Sequence, residues 1–349
     1  MPILEAAVLR SVSPWDLIGL ELHMLEAAGA GLSGPLLAVY DCPGRLVSLG
    51  RYHLYSGESE REGVGAIRRL SGGRAVGAGE GWIGIAMILP RTGVLLAPTD
   101  SGLKPDQVMN RYARGLLAAM RSLGVDCFYP GRDAITVNRR EIAMCAFERD
   151  ASGALLFEAS LAVSRGMQEL AGELDLLDPS GAVPSVVHDS GACTTLVKEL
   201  GREISFDEIA RVIVGGYAAM AGGVSERELS RDELGHAARC ASELRAIHWL
   251  RRSAEAGRYN RIGRMAGQLG QLEVRLGVSD GNRIERVMLS GDFLANSDGI
   301  AEFETALEGR RHDLPSVSNA VNQVFGDGRN FILGVGDLSN LAMMIVNAQ

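Results

Sequence analysis

The stretch Arg68-Arg69-Leu70-Ser71-Gly72-Gly73-Arg74-Ala75-Val76-Gly77 leaves its backbone few options. Paired glycines take dihedrals closed to other residues and let a chain pass close to a ligand or another backbone. Their exposed N–H groups, with arginine forks beside them, suit a carboxylate or a phosphate. Apolar residues follow from Trp82 to Pro90 and read as a buried strand. The stretch is therefore either an anion-binding loop or a glycine hairpin between two strands. Of its arginines, Arg68 reads as a surface residue.

The chain has 349 residues, of which 46% are hydrophobic and 22% charged. That is enough for two domains and a sizeable core. A net charge of −8 argues against broad electrostatic binding to nucleic acid or an anionic membrane. No apolar run is long enough to cross a bilayer, and Met1 to Arg10 lacks the pattern of a signal peptide, so a cytoplasmic location is expected. The five cysteines (Cys42, Cys127, Cys145, Cys193 and Cys240) form no CxxC pair, and the six histidines are dispersed. Neither a disulfide framework nor a metal site is expected.

Loose alternation marks a strand over Ile3–Arg10, and Pro14-Trp15-Asp16 opens a helix to about Ala28. Strand-like runs follow at Pro35–Tyr40, Leu46–Gly50 and Ile83–Leu89. Pro105 starts a helix to Gly124 whose apolar residues share one face. Strands are expected at Ala134–Val137, Glu141–Phe147 and Leu155–Val163. Ser205-Phe206-Asp207-Glu208 is a capping box for a helix to about Met220, and another helix covers roughly Glu233–Ser253. Ser253–Arg264 reads as a linker. Beyond it come strands Gln271–Val278 and Arg283–Leu289 and helices near Ile300–Glu308 and Val317–Phe325. The fold class is α+β: a large mixed sheet flanked by helices (1–252) and a small α+β C-terminal domain (265–349).

The order of these motifs resembles the lipoate–protein ligase family, within the biotin and lipoate ligase and octanoyltransferase superfamily. Pro14-Trp15, Ser48-Leu49-Gly50-Arg51, the Arg68–Val76 loop, Gly131-Arg132-Asp133, Val183-Pro184-Ser185-Val186 and Gly291-Asp292-Phe293 carry the likeness. The resemblance implies that ATP, with magnesium on its phosphates, activates lipoate to lipoyl-AMP. It also implies transfer of the acyl group to a lysine of a lipoyl carrier domain, of the E2 or glycine-cleavage H type. Arg69, Ser71, Gly72, Gly73, Arg74, Ala75, Val76, Gly77, Arg132 and Asp133 would then hold lipoate and ATP. The Ile85–Leu89 strand would line an aliphatic tunnel for the acyl chain.

The resemblance also locates departures. The family's catalytic lysine falls at Glu141, within Asn138-Arg139-Arg140-Glu141-Ile142-Ala143-Met144. One such charge contact at 4 Å is worth roughly 4 kcal/mol at an effective dielectric near 20, so reversing its sign weighs heavily on adenylation. The family's HDxGN is here Ala78-Gly79-Glu80-Gly81-Trp82, its HHG-like turn is Leu156-Phe157-Glu158, and its third loop glycine is Arg74. Arg74 and Glu141 are either a compensating salt bridge or two unrelated solvated side chains. Three functions are expected: an atypical lipoate–protein ligase, a non-catalytic paralogue that binds a lipoyl or octanoyl group or a lipoyl domain, or a cysteine-dependent acyltransferase. The last would use Cys127, near Arg132, as a thiolate nucleophile; the alternative for Cys127 is a buried core residue.

Overall fold

The computed structural model describes residues 4–90, 103–178, 192–255, 257–326 and 328–349. Strand β1 (Leu4–Leu9) leads through α1 (Pro14–Gly29) to β2 (Leu36–Tyr40), β3 (Arg45–Leu49), β4 (Glu60–Arg61), β5 (Val64–Arg68), β6 (Val76–Gly77) and β7 (Trp82–Leu89). Then come α2 (Pro105–Ser122), β8 (Ala134–Val137), β9 (Arg140–Arg149), β10 (Leu155–Ala162), α3 (Leu170–Leu177), α4 (Leu196–Leu200) and α5 (Phe206–Ala221). Strand β11 (Val224–Glu226) and α6 (Arg231–Ala246) complete the larger part. The C-terminal part holds β12 (Arg261–Ala266), β13 (Gln271–Val278), β14 (Ile284–Gly291), β15 (Leu294–Ala295), α7 (Ser297–Leu307), α8 (Leu314–Phe325), β16 (Ile332–Leu333) and α9 (Leu338–Val346).

The main sheet has the order β11-β1-β2-β7-β10-β9-β8. Its first three strands are mutually parallel and the rest antiparallel, which makes it a mixed sheet. Strands β2, β7 and β10 are buried along their whole length. A strand covered on both faces reads as a continuous apolar run, as these do. Residues of α2 and α5 pack with Ile85 and Met87 on one face. Residues of α1 and α6 pack with Ala86 and Ile88 on the other. The N-cap half of the expected capping box forms: the Glu208 amide donates to the Ser205 hydroxyl at 3.2 Å, while the Glu208 carboxylate accepts from Arg202.

A smaller sheet, β4-β5-β3-β6, positions the glycine-rich loop. Strand β5 runs parallel to β3 on one side and β6 antiparallel to it on the other. Residues 69–75 therefore wrap the end of β3 and are not a hairpin. The loop presses on Gly50, where a Cβ would lie 2.1 Å from the Gly73 carbonyl oxygen.

Two expectations change here. The stretch 253–264 is not all linker, because β12 begins at Arg261 and pairs along β13. It is an edge strand with mostly exposed or half-buried side chains, so it carries no apolar signal. Helix α6 stops at Ala246, not near Ser253; the chain then turns back so that Arg252 bridges Tyr55. Val183–Val186 lies outside the described residues.

The C-terminal sheet β12-β13-β14 and helices α7 to α9 close around Val274, Leu289, Phe303, Val321 and Ile345. Tyr52 joins this core from the larger part, its ring stacked on Phe293 with centroids 4.5 Å apart. Its hydroxyl donates to the Ala295 carbonyl at 3.0 Å. Next to it, His53 and Asp292 are fully buried and bonded Nε2 to Oδ1 at 2.8 Å. The Gly50 amide donates to His53 Nδ1 at 3.2 Å. Nδ1 is thus an acceptor, so the ring is neutral with its proton on Nε2. Burial lowers the His53 pKa and favours that form, although Asp292 opposes it.

Candidate functional site

The loop's arginines face inward. Arg68 is 2% exposed, which corrects its reading as a surface residue. Its guanidinium donates to the carbonyls of Gly50, Arg51, Trp249 and Leu250 at 2.8–3.1 Å, and it ties the return from α6 to the end of β3. Burial, and then Arg252, Arg51 and Arg69, pull its pKa down to about 9.

Arg69 is also buried. It donates to the Ser71 hydroxyl and to the carbonyls of Ser48, Gly72 and Arg74 at 2.6–3.2 Å. All four are acceptors of its own chain. Burial lowers the Arg69 pKa, against the pull of Glu158, Asp133 and Asp292. The loop's amides are also engaged. The Ser71 amide donates to Glu158 Oε2 at 3.2 Å, and the Gly73 amide to the Phe293 carbonyl at 2.7 Å. That carbonyl would sit 2.3 Å from a Cβ on Gly72, and Gly73 has φ of +88°, so both positions require glycine. Ala75 is buried in the small core beneath β3, and Val76 and Gly77 form β6.

Arg74 and Glu141 are a compensating pair, extended by a third residue. Arg74 Nε and Nη2 reach the two Asp133 oxygens at 2.8 Å each, and Nη2 reaches Glu141 Oε1 at 3.2 Å. Burial by itself would lower the Arg74 pKa; Asp133 and Glu141 raise it instead. The Arg74 guanidinium is thus held by two carboxylates, Asp133 and Glu141. Arg132, next in sequence to Asp133, is exposed.

Arg69 and Arg74 line a cavity of about 40 Å³, together with Tyr40, Ser48, Val76, Ala78, Gly84, Met144, Cys145, Ala146, Glu158, Ala159 and Ser160. This is not the aliphatic tunnel expected from Ile85–Leu89. Ile85 and Met87 point into one helix layer and Ala86 and Ile88 into the other. Tyr40 lies across Gly84, where a Cβ would be 2.0 Å from its ring.

Sequence reasoning missed Glu21 and named Glu158 only as a departure within the HHG-like turn. Both are buried, and burial raises the pKa of each. Glu158 adds to the effect on Glu21, while Arg69 opposes it in both. Their signal was present. Glu158 is the one acid in the apolar strand Leu155–Ala162, and Glu21 lies on the stripe Leu17-Glu21-Met24-Leu25-Ala28 of α1.

Cys127 does not suit nucleophilic catalysis. It is 1% exposed in the main core, and burial pushes its thiol up to about 12, so almost no thiolate exists at neutral pH.

Glu148 joins the site to the C-terminal part. Its Oε1 accepts from the amide and the hydroxyl of Ser297, at the first turn of α7. Burial lifts its pKa to about 7, although Arg51 and the Ser297 bonds oppose this. A carboxyl raised in the folded state contributes fully below its unfolded value of 4.5 and loses that contribution as pH rises through 7. The stability advantage of the unaltered protein over the Glu148→Gln variant is therefore expected to fall by about 3 kcal/mol between pH 4.5 and 8. Urea unfolding of both proteins at the two pH values measures it, and parallel pH profiles would disprove it.

No helix among the described residues is long and apolar enough to cross a membrane. No curated protein matches the sequence. Among solved structures, the chain is similar to Plasmodium falciparum LipL1 in complex with lipoate, with a TM-score of 0.70, 12% identity and coverage of 98% of this chain and 99% of that one. It is also similar to a bipartite lipoate protein ligase of Thermoplasma acidophilum, described with its E2 lipoyl domain, with a TM-score of 0.52, 16% identity and coverage of 73% and 100%. A lipoate-protein ligase A bound with ATP gives a TM-score of 0.51, 16% identity and coverage of 69% and 94%. At these identities the likeness establishes the fold. The sequence itself matches the bacterial lipoate protein ligase C-terminus over residues 258–329. Since it also matches the lipoyl protein ligase A/B catalytic domain over residues 13–218, the chain belongs to the lipoate–protein ligase family.

Proposed function

We propose that this chain is a non-catalytic member of the family that engages a lipoyl carrier domain without forming an acyl-adenylate. The observation that carries this reading is the ion cluster of Arg74 with Asp133 and Glu141 at the family's lysine position. Adenylation brings a carboxylate against a phosphate, and the reacting oxygens need cations and N–H donors aimed at them. Here the Ser71 and Gly73 amides are directed to Glu158 and Phe293, and the Arg69 guanidinium donates to its own loop and to β3. The two acids nearest the loop's second cation, Asp133 and Glu141, are held by Arg74 rather than turned toward a magnesium ion. These residues do not fit ATP, so no step is derived through it. Nor does the cavity fit lipoate: about 40 Å³ falls far below the roughly 300 Å³ at which ligand pockets begin. The carrier domain as partner draws support from the Thermoplasma relative, which is described with its E2 lipoyl domain.

A second reading, ATP-dependent ligation of lipoate or octanoate, is favoured by the retained Arg69-Ser71-Gly72-Gly73 loop. One experiment separates the two. The full chain is incubated with ATP, magnesium, lipoate or octanoate and a carrier domain; pyrophosphate and carrier mass are followed, and carrier binding is measured by calorimetry. The non-catalytic reading expects binding heat, no pyrophosphate and an unchanged carrier mass. Pyrophosphate release with an acylated carrier would establish the ligase instead, and absence of carrier binding would remove the partner.

A further inference from the structure

A second cavity lies at one end of the main sheet, away from the loop. Parallel strands β1 and β2 finish there, at Leu9 and Tyr40, and antiparallel β7 begins there at Trp82. Helix α1 leads from β1 to β2 on one face of the sheet, and α5 leads into β11 on the other. Connections that leave on opposite faces open a crevice beyond the carboxyl ends of parallel strands, where sheets of this kind take ligands. The crevice here has a volume of about 290 Å³, close to the roughly 300 Å³ at which ligand pockets begin. It shares no wall residue with the loop cavity.

Trp82, Ile83, Val163, Ile204, Phe206 and Ile209 give the crevice an apolar body. Among the described residues its charged wall side chains are Asp41 and Glu80, both acids. Asp41 is firmly placed: its amide donates to the Leu9 carbonyl, its carbonyl accepts from Val12, and Oδ1 accepts from the Ser11 amide at 2.5 Å. Asp41 Oδ2 and the Glu80 carboxylate make no hydrogen bond or ion pair among the described residues. The arginines beside the crevice are engaged with other groups. Arg10 lies over the Phe206 ring, 5.0 Å from its centroid, and pairs with Asp207. Arg165 packs over Gly81 and is bonded to Glu169 and Glu173. The N-terminus of α5 adds partial positive charge, which Asp207 and Glu208 in its first turn oppose. An apolar slot with two carboxylates and no cation of its own matches a ligand with a hydrocarbon body and one positive end. The rings of Trp82 and Phe206 favour an aromatic body, and an anionic end would be set against Asp41 and Glu80. We propose that this crevice binds a small aralkyl amine, with its ring among Ile83, Phe206 and Ile209 and its ammonium group at Asp41 and Glu80.

The test is calorimetry on the full chain at neutral pH with phenethylammonium chloride and sodium hydrocinnamate, which carry the same ring on a short stem and differ in the sign of the charge. Saturable binding of the amine with no heat from the acid is expected. Asp41→Asn should weaken the amine at least about tenfold, and Glu80→Gln several-fold. Asp41→Asn is open to failing to fold, because Asp41 also receives the Ser11 amide. Glu80 is exposed and its carboxylate has no partner among the described residues, so Glu80→Gln keeps the test decisive. Saturable binding of the acid, absence of amine binding, or unchanged amine affinity in Glu80→Gln would each overturn the proposal. Since the crevice and the loop cavity have no wall residue in common, the result is separate from the carrier reading.

Discussion

Replacing Arg74 with alanine is expected to destabilise the protein by about 3–5 kcal/mol, the usual cost of stranding buried charges by removing their partner. Asp133 is 1% exposed and both its oxygens face the guanidinium, while Glu141 depends on the same Nη2. The paired change Glu141→Ala leaves the bidentate Asp133 contact standing and should cost far less. Urea unfolding of the two variants gives the comparison, and equal losses would mean that Glu141, not Asp133, dominates the cluster. The same geometry makes Glu141→Lys a poor route back to a ligase, because a lysine there would face Arg74 across about 3 Å.

Arg68→Met is expected to cost about 3 kcal/mol, taking about 1 kcal/mol for each of the Arg51, Trp249 and Leu250 carbonyls, since the Gly50 carbonyl keeps the His53 amide. A term of opposite sign exists. Arg68 forms no ion pair among the described residues, and its pKa, drawn down to about 9, records the strain of keeping that charge buried. Methionine removes that strain, but it cannot donate to Gly50, Arg51, Trp249 and Leu250. The loss should be local as well as global: amide exchange near Tyr55 and Arg252, whose pairing Arg68 supports from beneath, should accelerate first. Unchanged stability would show that relief of the buried charge outweighs the lost donors.

Much of this site could be read from the residue order, and the reason is specific. A run of Arg-Arg-x-Ser-Gly-Gly before an apolar strand has few uses, so its position was legible. What its charges do was not, because a sequence gives the sign of a residue and not its partner. Arg68 closes a strand whose other positions are small or apolar, and nothing local says that four carbonyls converge on it. The Arg74–Glu141 pair was open for the same reason: 67 residues separate the two. Asp133, the stronger partner of Arg74, was read as a ligand contact because its motif suggested one. Glu21 and Glu158 were legible in principle, each being the lone acid in an apolar pattern. In the fold, the long amphipathic helices and fully buried strands were plain. Strands β4 and β5 and edge strand β12 were not, being short, glycine-bearing or exposed.

The path of the loop around β3 has a mechanical consequence. With β5 and β6 stitched to opposite sides of one strand, residues 69–75 cannot lift as a lid, since raising either end unzips a sheet. The cleft is then a slot under a fixed roof, and the roof is nailed from above by Phe293. Any change of specificity within this framework has to be written in the walls. Tyr40, Arg74 and Glu158 are among the side chains of those walls.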